Sequence, residues 1–264
     1  KLCAACHGPI TRAGEASAKA KSGTNPGFQA FLADAKAARG DFIAVACISC
    51  HAPQAAVTGD VKVEDAVAQE GITCNFCHNV SAVDVSPKPA SYTHDPSNPN
   101  LMRGPYDDSD PGSAHDFVYS EIHTKSDFCS SCHWAKNDKG VDVVTTYPEW
   151  TGTRAAAKGP TCQDCHMPPA PGKASPLSKK QRDAVNLHAF SGPRVPGGLD
   201  SVATVAAALE EGRLRLTVAN ARGGHPLPGA GHSMRAVALE VVWFDAAGSE
   251  MSRSTVQTYS TEFA

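Results

Sequence analysis

Apolar and polar positions alternate in the last quarter of the chain. Leu214, Leu216 and Val218 are separated by polar or small residues, and so are Val237, Leu239, Val241 and Trp243. A period of two predicts strands, and residues 254–260 read as one more. The expected product is a small antiparallel β unit. It is incomplete as a sandwich, so either an edge pairs with a partner or the chain is truncated. Upstream, the one clear helical signal begins at Asn25-Pro26-Gly27, runs through Phe28-Gln29-Ala30-Phe31-Leu32 and an alanine-rich stretch, and stops near Gly40. A second short helix, Phe42 to Cys47, follows. Residues 81–116 hold Pro87, Pro89, Pro96, Pro99, Pro105 and Pro111 among many Asp, Asn and Ser, which predicts a long irregular loop. The predicted fold class is a mainly α and irregular domain with little regular secondary structure over 1–193, followed by a small antiparallel β unit over 194–264.

Composition sharpens this picture. Aromatic residues are only 6% of 264, few for a domain that must fill its core with side chains alone. The 22 glycines and 19 prolines imply much loop and turn. A formal net charge of −3 without any long basic run gives nucleic-acid binding no support. No apolar stretch reaches the length of about 18 residues that a membrane span needs. The chain opens at Lys1, two residues before its first cysteine, which reads as a processed or trimmed start.

Cysteine spacing carries the chemistry. All ten cysteines fall in pairs with two residues between them: Cys3 and Cys6, Cys47 and Cys50, Cys74 and Cys77, Cys129 and Cys132, and Cys162 and Cys165. Each second cysteine is followed at once by histidine, at His7, His51, His78, His133 and His166. C-x-x-C-H is the attachment signature of c-type haem. The two thiols add to the porphyrin vinyl groups as thioethers, and the next imidazole becomes the proximal iron ligand. Disulfides, structural zinc and redox dithiols also use paired cysteines, but none of them requires a histidine after every pair. With histidine at only 11 of 264 positions, five hits in five motifs are not coincidence. The expectation is five covalently bound haem c groups within residues 3–166, about one per 33 residues. Porphyrin would then replace the missing aromatic core, and each attachment would staple the chain. Thioethers of this kind are made outside the cytoplasm, which predicts a periplasmic, cell-surface or extracellular location.

Six further histidines remain: His94, His115, His123, His188, His225 and His232. Five irons with two imidazoles each would use five of these six. With only four methionines, low-potential bis-histidine ligation is favoured over histidine–methionine. His115, His123, His188 and His225 are the stronger distal candidates, and His94 and His232 compete for the fifth place. His123 lies six residues before Cys129, too close to curl over that haem, so it would serve a neighbouring one. Asp107, Asp108, Asp110 and Asp116 could ligate calcium, although a solvated acidic loop explains them better.

Several segments resemble a known family. Gly71-Ile72-Thr73-Cys74-Asn75-Phe76-Cys77-His78, Leu101-Met102-Arg103-Gly104-Pro105, Ile122-His123 before Phe128-Cys129-Ser130-Ser131-Cys132-His133, Cys162-Gln163-Asp164-Cys165-His166-Met167-Pro168, the segment at His188, and Gly224-His225-Pro226-Leu227-Pro228-Gly229 are similar to the multihaem cytochromes typified by the tetrahaem electron acceptor of nitrifying bacteria. Filament-forming extracellular cytochromes are related members. The resemblance spans roughly residues 40–245. It implies haems in close pairs, some parallel and some perpendicular, with mostly bis-histidine iron. Five motifs exceed the four of the typical member, and little chain precedes the first, so its distal ligand would come from far away or from another subunit.

Two functions follow. One is an electron carrier without catalysis, passing electrons between other redox proteins, a larger cytochrome complex, or further copies of itself in a polymer. The other is a reductase of a small nitrogen or sulfur compound. It would need one iron with an open sixth position and a donor nearby, such as Arg103, Tyr106 or His94.

Overall fold

A computed structural model describes residues 3–95, 97–109, 112–193, 197–200, 202–229 and 235–260. The chain divides into two compact units. One comprises Lys1–Cys132 with Pro160–Gly198, and the other His133–Gly159 with Leu199–Ala264.

Every C-x-x-C-H motif starts or ends a helical segment. The helices Cys3–Ala16, Ala44–His51, Cys74–Asn79, Asp127–His133 and Cys162–His166 carry them in order. A helical turn puts residues three and four apart on one face, which sets both thiols and the following imidazole on the same side, except in the first motif, where His7 leaves the helical conformation at φ −117° and ψ 34°. Two of these helices are fixed at their start by side-chain caps. Thr73 accepts from Phe76 N, and Thr161 with Asp164 forms a reciprocal capping box. The predicted helix at Asn25 is present as Pro26–Arg39. It has Asn25 capping, Pro26 in its first turn and Gly40 at its end. The second predicted helix runs further than expected, from Ala44 through the whole motif to His51, after a 3-10 turn at Asp41–Ile43.

Side-chain packing is concentrated around the second motif. Phe28, Leu32, Ala44, Ile48, Ala52, Ala55, Val63 and Ala68 form its core. Gly71, three residues before Cys74, closes this region. Its φ is +64°, and an added Cβ would lie 2.7 Å from Lys19 O, so only glycine fits.

The proline-rich stretch is not one continuous loop. Val80–Val83 pairs antiparallel with Tyr92–His94, and Leu101–Gly104 pairs parallel with Asp116–Tyr119. Strands of three or four residues are too short for a period of two to register, and the prolines mark the turns between them. Pro169–Gly172 with Arg182–Asn186 adds one more short pair.

The second unit has two short helices, Thr146–Thr151 and Arg154–Ala157, and two long antiparallel hairpins. Arg213–Asn220, Ala236–Phe244 and Glu250–Ser260 match the predicted strands. Ala203–Glu210 was not predicted, because its run of alanines carries no alternation. It pairs with Arg213–Asn220 through Glu211-Gly212, at φ +49° and +77°, the tight turn that matches the strand twist. The small antiparallel β unit of the predicted fold class is therefore present. No described helix is long and apolar enough to cross a membrane.

Candidate haem-attachment and ligand site

None of the ten cysteines forms a disulfide, and three pairs of them meet across motifs. Cys50 hydrogen-bonds Cys132, Cys129 hydrogen-bonds Cys162, and Cys74 interacts with Cys3. The first motif is thus beside the third, the second beside the fourth, and the fourth beside the fifth. Cys6 differs from these. It is a half-buried free thiol, and the contact that fixes it is made by its main chain, whose carbonyl accepts from Ser175 Oγ at 2.7 Å. Cys165 is the one exposed thiol of the ten. Burial pushes the Cys77 thiol up to about 12 and raises Cys47 and Cys74. At these three sulfurs the neutral form is favoured, whereas hydrogen bonds with Cys50 and Cys129 lower Cys132 and Cys162. Among the described residues no three His, Cys, Asp or Glu side chains converge to hold a metal ion by themselves.

Contacts to the main chain and to a helix cap hold other motifs in place too. Tyr92 donates its hydroxyl to Ser49 O at 2.8 Å, inside the second motif. Gln54 donates to Thr73 Oγ1, the cap of the third, at 2.6 Å. Ser126 Oγ accepts from Cys162 N at 2.9 Å, and Gln163 donates to Lys125 O at 2.8 Å, tying the fifth motif to the turn before the fourth.

The histidines show one recurring arrangement. His7 Nδ1 faces Ala174 O at 2.7 Å, His78 Nδ1 faces Arg103 O at 2.5 Å, and His166 Nδ1 faces Ser191 O at 2.7 Å. The distal candidates His115, His188 and His225 face Asp116 O, Asn186 O and Pro226 O at 2.9, 3.0 and 2.9 Å. A carbonyl can only accept, so Nδ1 carries a proton in all six, which in the neutral ring leaves the lone pair on Nε2. That tautomer presents Nε2 to a metal, with the carbonyl orienting the ring. Burial also pushes His188 down to about 4 and lowers His78, keeping both neutral and ligand-competent near pH 7.

Ring spacings fit iron as well. Two imidazoles on opposite sides of one metal, with nitrogens about 2 Å away, have centres about 6 Å apart. His7 and His115 lie 6.4 Å apart at 30°, and His78 and His188 lie 6.2 Å apart at 26°. His123 is also near His78, at 5.8 Å, but its nitrogens are otherwise engaged. Nε2 donates to Cys77 O at 3.0 Å and Nδ1 accepts from Ser120 Oγ at 2.9 Å. Burial pushes His123 down to about 4. His94 is packed edge-on against Phe76, and its Nε2 is buried with no hydrogen-bond partner. His225 is held in the second unit, where Asn220 donates to its carbonyl and Thr153 to Gly224 O. His51 stacks on Phe28 at 4.3 Å, and His133 ends its motif helix. His232 and Asp110 lie outside the described residues.

The acidic loop has a different role from the calcium site considered above. Asp108 pairs with Lys180 and Arg182, and Arg182 stacks over Tyr106 at 3.7 Å. Asp116 accepts from Asn98.

Residues 2–79 match the family model described as Cytochrome c554 and c-prime. The chain also superposes on the crystal structure of a penta-heme cytochrome c552 from Thermochromatium tepidum. The TM-score is 0.69 over 96% of this chain and 72% of that chain, at 20% identity. The chain has the fold of a multihaem c-type cytochrome. The family match, which spans the first three motifs, adds support for covalently bound haem c. No curated protein sequence matches the chain significantly. Within this cytochrome fold, sequence reasoning missed the carbonyls that orient the imidazoles. Ala174, Ser191 and Arg103 carry no signature, because any residue supplies a carbonyl.

Proposed function

We propose that the chain is a pentahaem electron carrier of the periplasm, cell surface or extracellular space. Haem c is attached at Cys3 and Cys6, Cys47 and Cys50, Cys74 and Cys77, Cys129 and Cys132, and Cys162 and Cys165, with His7, His51, His78, His133 and His166 proximal. The haem iron supplies a one-electron couple. The residues supply position. The observation that carries this reading is the shared tautomer of six imidazoles, each with Nδ1 on a carbonyl and Nε2 turned into the ligand form. His115 pairs with His7 and His188 with His78. His225 shares the second unit with His133 and is assigned to that iron. His94, with its unpartnered Nε2, and His123 complete the set, and His123 gives up its Cys77 contact to do so. The thiol contacts between motifs put neighbouring attachment points side by side, as electron exchange requires. Its partners are other redox proteins. The exposed hairpins offer free strand edges to a larger complex or to a further copy in a filament.

The test is spectroscopic. Uniform low-spin signals from five haems support a carrier. A high-spin haem that binds cyanide or nitrite supports the second reading, a multihaem reductase. The engagement of both His123 nitrogens favours that second reading, since it would leave one iron short of a ligand.

A further inference from the structure

Arg103 is the least expected side chain in the first unit. It is charged, and its side chain is only 9% exposed. Its carbonyl orients His78, and Nη2 donates to Asp95 at 2.9 Å. Nη1 is buried with no hydrogen-bond partner. A buried guanidinium with an unmatched N–H costs several kcal/mol unless an anion meets it, so the strand at Leu101–Gly104 is built around something absent from the protein itself. Asp95 is already engaged by Ser97 N and Oγ, so it does not reach round to both nitrogens. His94, next to Asp95, feels the Arg103 charge and has its own buried, unpartnered Nε2. Two buried polar atoms in this region, one suited to a metal and one to an anion, therefore lack a partner.

We propose that Arg103 Nη1 binds a carboxylate, and that this carboxylate is a propionate of the haem beside His78. Arginine suits the task because its planar fork can hold two carboxylates, Asp95 on one nitrogen and the propionate on the other. The interaction keeps a negative group ionised inside the protein and sets a fixed positive charge near one iron, which favours the ferrous form. Arg103 is thus a positioning and potential-setting residue. The inference rests on the haem reading above.

The experiment compares wild type, R103K and R103Q as holoproteins, by haem count, redox titration at fixed pH, and the propionate bending band in resonance Raman. In R103Q the haem count is unchanged and one redox component moves to lower potential. The expected change is at least tenfold in that haem's ferric-to-ferrous ratio, about 59 mV for one electron, and the propionate band shifts. R103K moves in the same direction by less. Should R103Q fail to accumulate, R103K decides alone, because it keeps the charge and loses the fork. Unchanged potentials and an unchanged band at full haem count would overturn the proposal. So would unchanged potentials with weakened binding of added nitrite or cyanide, which would assign Arg103 to an external anion. If wild type itself carries no covalent haem, the haem reading fails instead.

Discussion

The two units bury their residues in different ways. In the first, Ala44, Ile48, Ala52, Ala55 and Ala68 are fully buried, and the Cys77 thiol and the imidazoles of His78, His123 and His188 are also withdrawn from water. In the second, the hairpins carry the clearest apolar alternation in the sequence, yet Val237, Trp243 and Phe244 are 45%, 52% and 58% exposed. Strong periodicity here does not mean strong burial. The region without periodicity is the one whose side chains are most withdrawn. The proposed function accounts for this: the first unit would be organised by covalent attachment points, which need one helical turn each, whereas the hairpins are held by backbone pairing.

That contrast can be broken. The largest effect should come from C74S/C77S, which removes one attachment in the first unit. Haem per chain should drop by one fifth in a pyridine haemochrome assay, and the low-spin signal of His188 should be lost with it. Next, Ile48→Ala empties a fully buried position. It should cost about 2–5 kcal/mol in denaturant unfolding. G71A forces a Cβ against Lys19 O at positive φ and should cost about 1–3 kcal/mol. The smallest effect belongs to the hairpins. Trp243→Ser should change stability by no more than about 0.5 kcal/mol in the isolated chain, as surface substitutions do. A larger loss at high protein concentration would show that this face is covered by another copy.

Acid should also lower stability. His123 and His188 are held near 4 by burial, below the ordinary histidine value of about 6.5. The unfolded chain therefore binds more protons between these values, and stability must fall as pH drops through that window. Each histidine contributes up to about 1.4 kcal/mol per pH unit. In the holoprotein iron and proton compete for the same Nε2, which acts in the same direction, so denaturant midpoints should be flat above pH 6.5 and decline as pH falls below it.

What the sequence made legible follows from the same contrast. The five C-x-x-C-H motifs are legible in the sequence itself, because thioether chemistry would demand that spacing. The helix at Pro26–Arg39 was readable because Asn25, Pro26 and Gly40 mark its two ends. Ala203–Glu210 was not, because alanine hides the face it presents. The strands inside 81–116 were too short to show a period. Of the site, the histidines were readable by number, but not which carbonyl orients each ring, nor the unmatched nitrogens of His94 and Arg103. Those depend on contacts between distant parts of the chain. His7 meets Ala174, 167 residues away, and Cys6 meets Ser175, 169 residues away.

The central claim is that porphyrin is tethered at all five C-x-x-C-H motifs. Intact mass of the denatured, acid–acetone-washed protein tests it most directly. The account predicts a mass increase of five haems over the 27.5 kDa polypeptide, with the colour retained on the chain. A bare-chain mass, or bound zinc released on denaturation, would contradict it.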